Sequence, residues 1–232
     1  MVACSLALAL AKKGHSVGVL DSDLTGSNIP DILGKTELDV VGDKFIPTEA
    51  KGVRYVSLGQ IASEGMPVLW EEKDLKSACK QLLERTDWGD LDYLVCDFPP
   101  GTESEIQGLL PLMDYALIVS VPSMLAESKV RRMIECCREY QVPILGVIMN
   151  MTKFVCECGR EHRIYPEDHS FEDMGIPTIA EVPLNPKTAK EKVINEFPVE
   201  EVLQAMKKPV LLERREKSLK RIMLELLFKR GD

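Results

Sequence analysis

Short apolar runs alternate with helical patterns along most of the chain. The spacing of the apolar residues predicts helices over residues 3–13 and 126–140. Continuous apolar runs predict buried strands, which lie at residues 16–20, 93–96, 116–121, 144–149 and 179–182. Strands without polar alternation that follow helices are typical of α/β proteins, so we expect a mostly parallel sheet with helices on both faces.

The last part of the chain has a different pattern. Apolar residues between 211 and 227 fall largely on one helical face, and lysines and arginines occupy the rest. We therefore predict one domain over residues 1–208 and a C-terminal amphipathic helix of the same domain over residues 209–232, beginning at Pro209. Such a helix can lie on a membrane surface, but more often it packs on its own domain or on a partner.

Composition narrows the class of protein. The 232 residues carry a formal charge of −8, which disfavours nucleic-acid binding because that affinity comes mainly from Lys and Arg. Seven cysteines are an odd number, and most are scattered through predicted helices and strands. This distribution favours the reducing cytoplasm over a disulfide framework. No apolar run reaches the roughly 20 residues that a membrane span needs.

Polar side chains follow several of the predicted strands. Asp21 and Asp23 come after the first, Asp97 after the second and Asn150 after the fourth. In parallel sheets, ligands bind beyond the carboxyl ends of the strands, so these side chains are candidates for a shared site. Each of them taken alone is equally compatible with a helix cap or a turn.

Three segments of the sequence resemble segments of the Mrp-type (ApbC-like) P-loop ATPases, which are relatives of MinD and ParA. They are GVLDSDLTGSNIPDILG at residues 18–34, LDYLVCDFPPGT at 91–102 and VPILGVIMNM at 142–151. The resemblance implies a MinD-like fold and binding of ATP with Mg²⁺. It also implies roles for individual residues: Asp23 and Asp21 in catalysis, Asp97 at the Mg²⁺ shell, Pro100, Gly101 and Thr102 in a loop near the phosphates, and Asn150 at the adenine.

The sequence also departs from that family. Members begin with a strand and the glycine-rich loop G-K-G-G-V-G-K, whose backbone N–H groups and lysines hold the phosphates, and the 232 residues contain no such loop. We expect either that the sequence starts late within a longer chain, which we favour, or that a shortened protein has lost ATP chemistry. ATPase activity is therefore expected only if the loop is restored. Further departures are Glu103-Ser104-Glu105 after Thr102 and Trp70-Glu71-Glu72 where the family has W-R-G.

One cysteine pair stands in a predicted loop, within the sequence FVCECG at residues 154–159. Mrp-type proteins carry F-x-C-x-x-C-G here, and the resemblance implies that Cys156 and Cys158 of two chains hold a four-iron, four-sulfur cluster (4Fe–4S) across a homodimer. Zinc is an alternative, with His162 and His169 as further ligands. Two unliganded surface thiols are the other alternative.

These expectations combine into a function. The leading hypothesis is an ATP-dependent iron–sulfur cluster carrier that delivers clusters to apo-proteins in the cytoplasm. The rivals are a MinD/ParA-type positioning ATPase, which acts at a membrane or nucleoid surface, and a non-hydrolysing partner subunit.

Overall fold

The structure is a computed structural model that describes residues 1–23, 27–60, 72–99, 104–165 and 170–214. Helices and strands alternate along most of the described chain. The helices are α1 (Val2–Lys12), α2 (Ile29–Leu33), α3 (Glu72–Arg85), α4 (Ser104–Leu109), α5 (Met124–Tyr140), α6 (Pro186–Glu191) and α7 (Val199–Ala205). The strands are β1 (Val17–Asp21), β2 (Asp39–Val41), β3 (Lys44–Ile46), β4 (Thr48–Ala50), β5 (Val53–Ser57), β6 (Tyr93–Asp97), β7 (Ala116–Ser120), β8 (Ile144–Val155), β9 (Glu161–Arg163) and β10 (Thr178–Leu184).

The described strands form two main sheets, where the sequence predicted one. The first has the order β4-β5-β1-β6 and the second the order β10-β8-β7, with β9 added to the end of β8. Strands β5, β1 and β6 are parallel, as are β10, β8 and β7. The antiparallel pairs are β4 with β5, β8 with β9, and β2 with β3. The mostly parallel α/β architecture is therefore confirmed.

Helices cover both faces of the sheets, as predicted. Cys4, Ala7 and Leu10 of α1 repeat at helical spacing and are buried. They belong to a core cluster that includes strands of both sheets, so α1 joins the two sheets on one face. On the opposite face, α3 covers the first sheet and α5 the second. Full burial of a residue such as Leu10 stabilises the fold by roughly 1.5–3 kcal/mol.

Strands β6 and β7 are the outermost members of their sheets. Val95 of β6 and Leu117 of β7 nevertheless pack against the same core cluster. Phe98, which follows β6, contacts the clusters beneath both sheets. Within the described residues, neither of these two strands pairs with a strand on its outer side.

Helix α5 has defined ends. The Ser123 hydroxyl accepts a hydrogen bond from the Ala126 N–H, which caps the amino end. The helix stops at Gln141, whose φ of 58° is left-handed. Val130, Ile134 and Cys137 form its buried side against β7 and β8.

The described residues after α7 do not begin a helix. Val210 forms an antiparallel bridge with Ile144, and the Gln141 amide donates to the Leu212 carbonyl. The prediction that a helix starts at Pro209 is therefore wrong for residues 209–214, because this stretch pairs with β8 instead. The prediction for residues 215–232 falls outside the described part. Among the described residues, no helix is both long and apolar enough to span a membrane.

Candidate functional site

The carboxyl edge of the first sheet carries three aspartates, which are not grouped closely enough to form a three-carboxylate metal site by themselves. Asp21 and Asp97 are direct register partners on β1 and β6, and Asp23 follows two residues after Asp21. The Ser22 backbone N–H and hydroxyl both donate to the Asp97 carbonyl, at 3.0 and 2.8 Å, and fix the end of β1 against β6. The predicted grouping of these three residues agrees with the structure.

Asp97 is an unusual acid at this edge. Its pKa is raised from 3.8 to about 6. Burial is the largest cause of this rise, and the negative charges of Asp21 and Asp23 also contribute to it. The amino group of Met1 acts in the opposite direction, which shows that the amino end of α1 lies near this edge. Carboxylates beside the positive end of a helix dipole can together hold a cation and a phosphate group.

Asp21 is buried and surrounded by hydrogen-bond donors. Its Oδ2 accepts from the Ser27 hydroxyl at 2.6 Å and from the Ser57 hydroxyl at 2.9 Å, and its Oδ1 accepts from the Asp23 N–H at 3.2 Å. Burial raises the pKa of Asp21, while these hydrogen bonds lower it. Asp21 thus has a different environment from Asp23, which is less buried.

Asn150 lies in the second sheet. It pairs with Val182 of β10 and follows Met149, which is level with Ser120 at the end of β7. The strand continues past Asn150, so this residue does not end it, in contrast to the sequence prediction. The next residue, Met151, has a left-handed φ of 57°, which turns the strand at this point. Asn150 thus belongs to the second sheet and the aspartates to the first, and its contact with adenine stays a prediction.

The phosphate-loop residues Pro100, Gly101 and Thr102 lie outside the described residues. Described structure ends at Pro99 on this side and resumes at α4. Their predicted role near the phosphates stays a prediction.

The cysteine pair lies at the tip of a β-hairpin. Residues 153–155 of β8 pair with β9, and the Cys156 N–H donates to the Arg160 carbonyl at 3.0 Å to close the turn. Gly159, with φ of 80°, supplies the left-handed residue that this turn needs. The Cys156 and Cys158 sulfurs are 2.7 Å apart, Cys158 is exposed and Cys156 is partly so.

The Cys156 thiol is activated. Hydrogen bonds with Cys158 and then with His162 lower its pKa from 9.0 to about 6. His162 lies on β9 against the Phe154 ring, with centroids 6.1 Å apart. The thiolate is the form that binds metals, so this site can act as a ligand at neutral pH.

The hairpin does not form a complete metal cage by itself. In the described part of the chain, no three His, Cys, Asp or Glu side chains are grouped closely enough to hold a metal ion. His169, the other predicted zinc ligand, lies outside the described residues. One chain therefore offers two sulfurs here, with His162 beside them.

Sequence reasoning did not find the partners of Asp21. Ser57 precedes a turn of Leu58–Gln60 and is the register partner of Asp21 on β5. A serine at the carboxyl end of an apolar strand was the available signal. That signal could be used only if the order of the strands in the sheet was known.

Comparison with known proteins shows the family. The family model described as "ParA: NUBPL iron-transfer P-loop NTPase" matches residues 1–213. The chain belongs to this family. Among curated relatives of this NUBPL-type NTPase, the iron-sulfur cluster carrier protein of Helicobacter pylori is 34% identical over 194 residues, which cover 79% of the chain and 52% of the relative. The carrier protein of Saccharolobus solfataricus is 36% identical over 200 residues, covering 82% of the chain and 68% of the relative.

Solved structures agree with this assignment. A nucleotide-binding protein from Archaeoglobus fulgidus, in complex with ADP, superimposes on the NUBPL-type chain with a TM-score of 0.69 at 28% identity, covering 92% of the chain and 87% of that protein. The cell division ATPase MinD of Pyrococcus furiosus has a TM-score of 0.63 at 20% identity, with coverages of 89% and 92%, and shows the shared fold. The chain spans about half to two thirds of the length of several curated relatives that it matches.

Proposed function

We propose that this chain forms the nucleotide-binding domain of an ATP-dependent iron–sulfur cluster carrier, in which ATP hydrolysis is coupled to loading or transfer of the cluster. The observation that carries the proposal is the pair of sulfurs, 2.7 Å apart, at the tip of the β8–β9 hairpin. Cysteine thiolates are the usual ligands of iron–sulfur clusters. The family of the chain supports the same function.

The cluster would bridge two copies of the chain. A 4Fe–4S cluster takes four thiolates, and the hairpin supplies Cys156 and Cys158. A homodimer that brings two hairpins together would complete the ligand set. The exposed position of the hairpin tip makes it accessible to a second copy and to an apo-protein that accepts the cluster. Zinc, with His162 as a ligand, is the alternative occupant.

The aspartates at the sheet edge suit the nucleotide. Carboxylate oxygens are the ligands that Mg²⁺ prefers, so Asp97 would contact the Mg²⁺ shell and Asp23 would lie near the terminal phosphate. Asp21 was predicted to share this role, but its buried hydrogen bonds to Ser27 and Ser57 favour a positioning role instead. Pro100, Gly101 and Thr102 would contact the phosphates and Asn150 the adenine. The cytoplasm is the proposed location, since thiols that bind metals need reducing conditions.

The experiment is anaerobic reconstitution of the purified chain with iron and sulfide. We expect broad visible absorption and about four iron and four sulfide ions per two chains, together with a dimeric mass. The variants Cys156→Ser, Cys158→Ser and the double substitution should lose the chromophore. Incubation with an apo-ferredoxin should move the cluster to that acceptor.

Cys136→Ser is the matched control, because Cys136 is also partly exposed but lies in α5. It should retain the chromophore. An unchanged spectrum in the double hairpin variant would rule out the hairpin as the cluster site. Bound zinc with no bound iron would favour the zinc site.

A positioning ATPase is the second candidate, favoured by the fold shared with MinD and by the apolar face predicted after residue 214. Removal of residues 215–232 tests it and leaves the bridge between Val210 and Ile144 in place. We expect neither the full chain nor the shortened chain to sediment with anionic liposomes. Liposome binding by the full chain alone, unaffected by the cysteine substitutions, would favour the positioning ATPase.

A further inference from the structure

A cluster of hydroxyl groups surrounds the buried Asp21 carboxylate at the end of β1. Asp21 and Ser57 are register partners on neighbouring parallel strands, which sets their side chains next to each other. The Ser27 hydroxyl contacts both, at 2.6 Å from Asp21 Oδ2 and 2.7 Å from the Ser57 hydroxyl. We call Asp21, Ser27 and Ser57 the serine clamp.

The clamp contacts the chain at two points, residues 23 and 27. Asp21 Oδ1 accepts from the Asp23 N–H, and Oδ2 accepts from the Ser27 hydroxyl. One carboxylate therefore fixes the chain on either side of residues 24–26. Ser57 ties this carboxylate to β5, an inner strand of the first sheet.

We propose that Asp21 is a positioning residue: through the serine clamp, its carboxylate fixes where Asp23 lies at the sheet edge, and it takes no part in the chemistry itself. The proposal rests on the proposed function only in giving Asp23 a role beside the nucleotide. The clamp itself is a property of the folded chain.

The hydrogen bonds leave Asp21 little capacity for other ligands. Ser27, Ser57 and the backbone N–H groups of Asp23 and Ile29 all donate to it. A carboxylate has about four lone-pair sites, so these donors fill its capacity. Only 1% of the residue is exposed. A metal ion or an attacking water would have to displace one of these donors, whereas Asp23 is more accessible.

The turn after β5 is shaped to fit the clamp. The Gly59 N–H donates to the Ser57 hydroxyl at 3.0 Å, and the Gln60 side chain accepts from the Ser57 N–H at 2.8 Å. A Cβ at Gly59 would lie 2.4 Å from the Ser27 hydroxyl oxygen, so only glycine permits the approach of Ser27.

Gln60 extends the anchorage away from the sheet edge. Its amide donates to the hydroxyls of Thr36 and Thr48, at 3.1 and 3.0 Å. Thr48 lies on β4, and Thr36 follows α2. The clamp is therefore held by a network that reaches the neighbouring strand and the segment beyond α2.

The test needs no nucleotide, so it can succeed or fail independently of the proposed function. Amide hydrogen exchange and the pH dependence of the Asp23 amide shift are measured by NMR in the full chain. In Ser57→Ala, we expect Asp23 to exchange at least about tenfold faster, as when one hydrogen bond to a charged group is lost. The pH midpoint reported by the Asp23 amide should also rise, because a donor to the Asp21 carboxylate is removed.

Thr86→Val is the matched control. Thr86 is buried and donates its hydroxyl to the Leu82 carbonyl, so the variant also loses one buried hydrogen bond, but away from the clamp. This variant should leave both the exchange rate of the Asp23 amide and the pH midpoint of the Asp21 carboxyl, which that amide reports, unchanged. Ser27→Ala should act in the same direction as Ser57→Ala, and it provides a second test if Ser57→Ala fails to fold.

The outcomes separate the two proposals. If the Asp23 amide in both serine variants exchanges as fast as in Thr86→Val, the clamp does not position Asp23 and the inference is overturned. Mn²⁺ is then added as a paramagnetic probe for the Mg²⁺ site. Broadening of Asp23 and Asp97 in the wild type, but of Asp97 alone in Ser57→Ala, supports the positioning role. Absence of broadening in the wild type counts against the nucleotide site, while the exchange result still decides the clamp.

Discussion

Asp97 changes the charge of the sheet edge near neutral pH. Its pKa of about 6, raised mainly by burial, means that the folded protein keeps this carboxyl protonated at a pH where the unfolded chain has lost the proton. The folded state therefore binds more protons than the unfolded state between pH 3.8 and about 6. Stability falls as the pH rises through this window. A bound cation would reverse this cost.

We expect Asp97→Asn to stabilise the protein by about 2 kcal/mol at about pH 7, because asparagine avoids a buried charge. Below about pH 3.5, where both states of the wild type are protonated, the two proteins should differ little. Denaturant unfolding at both pH values measures the difference. A stability difference that does not change with pH would contradict this explanation.

Cys156 is a second residue with a strongly shifted pKa. Hydrogen bonds with Cys158 and His162 lower its pKa to about 6, whereas burial raises the pKa of Cys136. We expect alkylation of Cys156 by iodoacetamide, followed by mass spectrometry, to show a midpoint near pH 6. His162→Ala and Cys158→Ala should both move the midpoint upwards, because each removes a hydrogen bond that stabilises the thiolate.

Cys136 is the internal control for this measurement, since it should react slowly at neutral pH in every variant. A Cys156 midpoint that does not move in either variant would show that the hairpin hydrogen bonds are not the cause.

At the scale of elements, Gly146 determines how β8 pairs. Its φ is 145°, and the register between β8 and β10 shifts between Thr178 and Ala180. A Cβ at Gly146 would lie 2.5 Å from the Ile179 side chain and 2.8 Å from the Pro177 carbonyl oxygen. The close approach of β10 therefore requires glycine.

We expect Gly146→Ala to lower the free energy of unfolding by about 2–4 kcal/mol, through backbone strain together with overpacking. Gly52→Ala is the control, because Gly52 also has a positive φ, 82°, but nothing lies near its Cβ position. It should cost only about 1 kcal/mol. Chemical denaturation of both variants measures the two costs, and equal losses would show that the contact with β10 is unimportant.

The elements differ in how well the sequence predicted them. The five predicted strands are all present, because continuous apolar runs are typical of parallel strands in α/β proteins. The short strands β2, β3 and β4 were not predicted, since they bury too little surface to impose a pattern. The buried strand β5 was also missed, because Arg54 interrupts its apolar run. The extension of β8 beyond Met149 was also missed, because its partner β9 is equally short and exposed.

The candidate site shows the same division. The grouping of Asp21, Asp23 and Asp97 was predictable, because parallel strands end at the same edge. The hydrogen bonds that occupy the Asp21 carboxylate could not be predicted. Ser57 lies 36 residues away in the sequence and contacts Asp21 only because β1 and β5 pair in this register. A side chain's role in such a site depends on tertiary contacts that no local pattern contains.

At the scale of the whole molecule, strands β6 and β7 each have an unpaired outer edge in the described structure. Both have the apolar character of central strands, and Val119 of β7 is 41% exposed. Unpaired apolar edges favour association with a further strand.

The affinity of the 232-residue chain for ATP follows from this arrangement. Asp97 and the amino end of α1 lie near each other, but the sequence contains no glycine-rich loop to surround the phosphates. We expect about 1 mM Mg-ATP to raise the melting temperature by about 1 °C or less, because a ligand present near its dissociation constant stabilises by only about 0.4 kcal/mol. Calorimetry of the same protein should show no submicromolar binding.

A matched variant separates the loop from the rest of the site. An apolar strand followed by G-K-G-G-V-G-K, placed before Met1, would add backbone N–H groups and lysines that can hold the phosphates. We expect this longer chain to bind Mg-ATP and to melt several degrees higher in its presence, since ligand at about 100 times its dissociation constant stabilises by roughly 2.7 kcal/mol. Submicromolar ATP binding by the 232-residue chain itself would contradict the prediction. It would mean that the aspartates and the amino end of α1 hold the nucleotide without a phosphate loop.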